Sequence, residues 1–123
     1  MVEFALILPL MVMLAAGIFD LGRAFYTSIT ITNAGREGAR YGTLHPNDQA
    51  GMRNAVVREA QNSGVVIDQS DVTISCPDEV APSGCDRSQP IRVTIDFLYD
   101  EMIFRFLFRT GIQMQRHVEM QVP

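Results

Sequence analysis

Apolar and polar positions follow three successive patterns along the chain. Residues 4–19 carry no charge and hold only apolar side chains and glycine, and a single acid, Glu3, stands directly before them. From there to Tyr41 apolar residues recur every three to four positions, as in Leu21, Phe25 and Ile29 or Ala24, Ile31 and Ala34. That spacing predicts one continuous helix over residues 2–41, roughly 60 Å long and about twice the thickness of a hydrocarbon core. Pro9 removes one helical N–H and predicts a kink. Gly17 and Gly22 permit close helix approach. The run Thr27-Ser28-Ile29-Thr30-Ile31-Thr32 is rich in β-branched residues, which cost a few tenths of a kcal/mol each in a helix. It is expected to be the first part of the helix to loosen. Asp20 and Arg23 are three apart and are expected to pair where the apolar run meets water. Glu37 can pair with Arg40, and Gly42 is expected to cap the helix end.

A second helix is predicted over residues 48–62, with Asp48 as N-cap, Gly64 as terminator and Met52, Ala55, Val56 and Ala60 as the buried stripe. Beyond Val65 the period changes to two. Val72 and Ile74 share one face of a strand at residues 71–76. Ile91, Val93, Ile95 and Phe97 alternate with polar positions in a second strand. Ile112, Met114, Val118, Met120 and Val122 mark a third, with His117 expected inside it. Residues 77–89 read as a loop, and residues 99–110 fit a strand, a short helix or a loop. The predicted fold class is α+β: a long N-terminal hydrophobic helix (residues 1–42), then a small head (residues 43–123) of one helix packed on an antiparallel sheet of about three strands.

Composition sharpens this picture. The net charge of −4 gives no reason to expect nucleic-acid binding. A head of roughly eighty residues lies at the small end for an independent core and gains from a staple. Cys76 and Cys85, with Pro77, Pro82 and Gly84 between them, are expected to form a disulfide in an oxidising compartment. In the chain-entropy model a loop this short contributes about 2–3 kcal/mol. Neither His45 nor His117 sits at metal-ligand spacing from the cysteines, so no metal and no cofactor is expected. Asp68, Asp71, Asp78 and Asp86 match no calcium-loop pattern and read as solvated acids. No phosphate loop or nucleophile–base arrangement occurs, and an enzyme is not expected.

The apolar segment has three readings. A secretory signal would carry a positive n-region, but no basic residue precedes Arg23. A single-pass anchor on an envelope binding domain would have no use for Glu3, whose carboxylate costs about 2–3 kcal/mol near lipid. In a subunit that assembles with copies of itself, a neighbour supplies the cation.

Three blocks carry a family resemblance: Met-Val-Glu-Phe-Ala-Leu-Ile-Leu-Pro at residues 1–9, Gly-Ile-Phe-Asp-Leu-Gly-Arg-Ala-Phe at 17–25, and Asn-Ala-Gly-Arg-Glu-Gly-Ala-Arg-Tyr-Gly at 33–42. Together they resemble the TadE-like family, small pilin-like proteins of the tight-adherence (Tad) branch of the type IV pilin superfamily. The resemblance implies a prepilin cut by a membrane-embedded prepilin peptidase after a glycine, with a glutamate retained five residues beyond the cut. Glu3 matches that glutamate with two residues fewer ahead of it, which implies residues before Met1, a disordered start, or different processing. In the family this glutamate is thought to neutralise the N-terminal amine of an adjacent subunit. The assembly residues expected here are Glu3, Phe4, Pro9, Asp20 and Arg23. The expected partners are other copies of the chain, an inner-membrane assembly platform and an assembly ATPase. The expected location is the inner membrane before assembly and a cell-surface filament for adhesion afterwards. A repeating pilin and a low-abundance pseudopilin that primes or tips a filament both fit.

Overall fold

A computed structural model describes residues 2–76, 90–99 and 112–121. Helix α1 spans Val2–Leu44, α2 spans Gln49–Asn62, and a 3-10 turn at Gln69–Asp71 leads into strand β1, Val72–Ser75. Strands β2, Pro90–Tyr99, and β3, Ile112–Gln121, complete an antiparallel sheet in the order β1-β2-β3. The α+β architecture is the one the periodicity predicts. Cys85 and the ambiguous stretch 99–110, apart from Tyr99 at the end of β2, lie outside the described residues.

Helix α1 is unbroken through Pro9 and through Thr27 to Thr32. Its C-terminal half is built into the head. Thr27, Thr30, Ile31, Ala34, Gly35, Gly38, Ala39 and Gly42 are buried at three- and four-residue steps, facing α2 on one side and the sheet on the other. Small side chains are required there because the neighbours come so close. A Cβ on Gly38 would stand 2.3 Å from Cγ2 of Val56, and one on Gly35 would stand 2.9 Å from Cγ2 of Val118. The β-branched run Thr27–Thr32 stays helical with Thr27, Thr30 and Ile31 buried, since tertiary contacts outweigh a propensity deficit of a few tenths of a kcal/mol per residue. Thr32 also returns its hydroxyl to the carbonyl of Ser28 at 2.9 Å.

Gly42 does not cap α1. It lies inside the helix, and its missing side chain admits Ile91 and Met52, whose Cδ1 and Sδ would be 2.8 and 2.9 Å from a Cβ. The helix continues to Leu44, adds a bond from the N–H of His45 to the carbonyl of Tyr41, and stops at Pro46. Helix α2 starts where expected: Asp48 accepts the N–H of Gly51 at 2.8 Å through Oδ1. It ends in a Schellman turn, with Gly64 at φ +79° and the N–H of Val65 donating to the carbonyl of Ala60.

Met52, Val56 and Ala60 of α2 meet Val72, Ile74, Ile91, Val93 and Ile95 of the sheet around Ile31 and Ala34 of α1, and Ala55 is buried beside them on α2. The opposite sheet face carries a polar ladder between β2 and β3. Arg92 is ion-paired with Glu119, the Thr94 hydroxyl is 3.1 Å from Nδ1 of His117, and Gln115 donates to Asp96 at 2.6 Å. His117 is exposed on that ladder. Asp71 accepts the N–H of Asp68 at 3.3 Å within the 3-10 turn, a local structural task.

Candidate assembly surface

The N-terminal half of α1 departs from the head with its side chains bare. Of residues 3–26 only Ala16, Asp20 and Ala24 are even half-buried. Phe4 and Phe19 are each 78% exposed. The helix is long and apolar enough to cross a membrane by length and composition, and almost none of the apolar stretch is covered by its own chain.

Three side-chain ties hold α1 onto the head at the point of departure. The Tyr99 hydroxyl donates to the backbone carbonyl of Asp20 at 3.4 Å, Tyr26 donates to the carbonyl of Ser63 at 3.2 Å, and Arg116 of β3 donates to Oγ of Ser28 at 2.6 Å. They fix the direction in which the bare segment projects.

The five assembly residues expected from sequence divide among three settings. Glu3 and Phe4 are exposed at the tip, and no hydrogen bond or ion pair among the described residues reaches Glu3. Pro9 sits within the bare segment. Asp20 and Arg23 do not form the expected pair. Asp20 turns toward the head, half-buried, with its Oδ2 enclosed and accepting no hydrogen bond, while Arg23 is exposed and has an interaction elsewhere in its own chain. The lower-down pair of Glu37 and Arg40 does form, at 3.5 Å.

Periodicity located the helix but did not assign its outward face. Leu21, Phe25 and Ile29 continue the helical spacing, yet they point away from the core and are all more than half exposed. The core-facing stripe is made instead by Thr27, Thr30, Ile31 and Ala34. Beside the outward stripe lies a shallow hollow of about 430 Å³ lined by Ile18, Phe19, Gly22, Arg23 and Tyr26. The signal for it in the sequence was Gly22 set among large apolar residues.

A second hollow lies between the end of α1 and α2, beside Tyr41, Asp48, Gly51, Asn54 and Arg58. Tyr41, Asp48, Gly51 and Asn54 are already engaged within the chain. Tyr41 stacks on His45 with ring centroids 4.7 Å apart and donates to Oδ2 of Asp48 at 3.0 Å. The Gly51 N–H and the Tyr41 hydroxyl hold the Asp48 carboxyl below its ordinary value.

Cys76 follows β1 with its side chain in the core, and no free cysteine occurs among the described residues.

The family model of TadE-like proteins matches residues 1–40. Neither a curated protein nor a solved structure matches the chain.

Proposed function

We propose that this chain, whose first forty residues match the TadE-like family, is a pilin subunit that polymerises through α1 into a Tad-type filament at the cell surface. The observation that carries this reading is the bare, apolar half of α1 with a lone carboxylate at its tip. A head docked on one half of a helix of this length leaves the other half needing an apolar environment. Lipid supplies one before assembly, and the same segments of neighbouring copies supply one afterwards. Because both are apolar, the transfer gains little hydrophobic free energy, and close packing with paired polar groups decides the outcome. Extraction from the membrane therefore calls for a motor, the role an assembly ATPase would fill beside an inner-membrane platform. A prepilin peptidase would prepare the N-terminus.

Glu3 distinguishes assembly from simple anchoring. A carboxylate costs about 2.5–3.5 kcal/mol at the bilayer centre and less toward the edge, and a cation on a neighbouring copy relieves that cost. The head would present its polar ladder outward for adhesion or surface attachment, with Cys76 and Cys85 closing a loop as a staple. A second reading, a low-abundance subunit that primes or tips the filament, uses the same helix and the same Glu3.

Glu3→Ala tests the role of the tip. The variant is expected to enter the membrane at wild-type levels and to be missing from sheared surface fibres. Fibres containing the variant at normal abundance would contradict the role.

A further inference from the structure

The outward stripe of α1 continues past the reach of lipid. A hydrocarbon core of about 30 Å takes roughly twenty residues of upright helix, which from Phe4 ends near Arg23. Phe25, Tyr26 and Ile29 lie beyond that limit, yet each is about 60% exposed. Their own head leaves most of each uncovered, although the Tyr26 hydroxyl reaches Ser63. Between the two stretches lies the hollow at Gly22, walled by Ile18, Phe19 and Tyr26 with Arg23 at its rim. A Cβ added to Gly22 would meet nothing within 4 Å. The fold of a single chain therefore does not need glycine at this position, in contrast to Gly35, Gly38 and Gly42.

The complement of this hollow is on the same helix. Its tip carries a fully projecting aromatic ring, Phe4, with a carboxylate, Glu3, as its neighbour in sequence. The hollow offers an apolar recess with a guanidinium, Arg23, as its neighbour in sequence. Knob and acid match recess and base.

We propose that the hollow at Gly22 receives the N-terminal tip of α1 from a second copy of this chain, with Phe4 seated over Gly22 and Glu3 paired with Arg23. This rests on the filament reading above and deepens it by assigning the mate of the tip carboxylate. A guanidinium has five N–H donors, so Arg23 can keep its interaction within the chain and still take a carboxylate in the fork geometry. Tip and hollow are separated by 18 to 20 positions along the helix. Two parallel copies joined this way are displaced along their axes by about 28 Å. The contact joins different patches on the two partners, so each copy still offers a free tip at one end and a free hollow at the other. Such a heterologous contact propagates into an open filament rather than closing as a two-fold dimer.

Charge reversal and cysteine trapping in the full chain, expressed with its assembly machinery, test the pairing. Glu3→Arg and Arg23→Glu are each expected to cut incorporation into fibres more than about tenfold, because each leaves like charges facing one another in an apolar contact. The double reversal is expected to restore it. Independently, Phe4→Cys combined with Gly22→Cys is expected to give a ladder of disulfide-linked multimers on mild oxidation, and neither substitution alone should do so. A double reversal no better than the single changes, with no ladder from the cysteine pair, overturns the pairing. The carboxylate's mate would then be another group, such as a neighbour's N-terminal amine, or lipid would fill the hollow, and wild-type fibres would still stand. A wild-type chain absent from fibres altogether would instead overturn the filament reading itself.

Discussion

Single residues in this chain are chosen for what they leave out as much as for what they contribute. Gly38 shows this most sharply, since Val56, a side chain stiff at χ1, fills the space its Cβ would take. Gly38→Ala is expected to destabilise the head. Overpacking costs about 1–3 kcal/mol, more than the roughly 1 kcal/mol of helix propensity that alanine returns. Gly22→Ala, placed in open space, should keep the propensity gain, and thermal melts of the two variants compare the sites directly. Asp48 contributes through its charge. Its folded-state pKa is depressed, chiefly by the Gly51 N–H and then by the Tyr41 hydroxyl. Its contribution is therefore complete above the ordinary aspartate pKa, about 4, and is lost as pH falls through the lower folded value. Asp48→Asn keeps a capping oxygen but not the charge, so it should lower the melting temperature at neutral pH, change little at the acid end, and thereby flatten the acid side of the profile. An unaltered acid slope would count against that role.

At the scale of elements, α1 is continuous in backbone but divided in packing. Residues 27–44 belong to the head and residues 2–26 project from it. The sequence shows the continuity plainly, through unbroken three-to-four spacing. It does not show the division, because Phe25 and Ile29 look as much like core residues as Ile31 does. Which stripe is buried depends on where α2 and the sheet arrive, and that is tertiary information. The same limit explains Asp20 and Arg23. Spacing made them a pair, while Asp20 turns toward the head and Arg23 interacts elsewhere in its own chain. Helix α2 was legible almost to the residue, because its cap, stripe and glycine terminator are all local signals. Gly42 was misread for the converse reason: a glycine near a helix end usually serves the backbone, and here it serves packing. The loop after β1 carries the remaining prediction at this scale. Joining Cys76 to Cys85 should stabilise the head by about 2–3 kcal/mol. Intact mass before and after reduction reports the bond, and a reduced head melting at the same temperature would show that it contributes nothing.

As a whole molecule, the chain is a small head clamped to a helix roughly twice as long as lipid needs. The clamp of Tyr26, Tyr99 and Arg116 sets the angle between the two, so each head follows wherever its helix is packed. Fold class and the family resemblance of the first third could both be read from the residues before any coordinate. The candidate surface could be read only in part: Glu3 and Phe4 stood out in sequence, while the hollow at Gly22 needed the exposure of its walls. The polar ladder on β2 and β3 leaves the outward sheet face hydrophilic.

Quantitative mass spectrometry of sheared, purified surface fibres tests the central claim most directly, by counting this chain against every other protein present. Repeating copies joined through α1 predict that it makes up the bulk of the fibre mass. Finding it at a few copies per fibre would assign it to a tip or priming position. Finding it only in the membrane fraction would contradict the account.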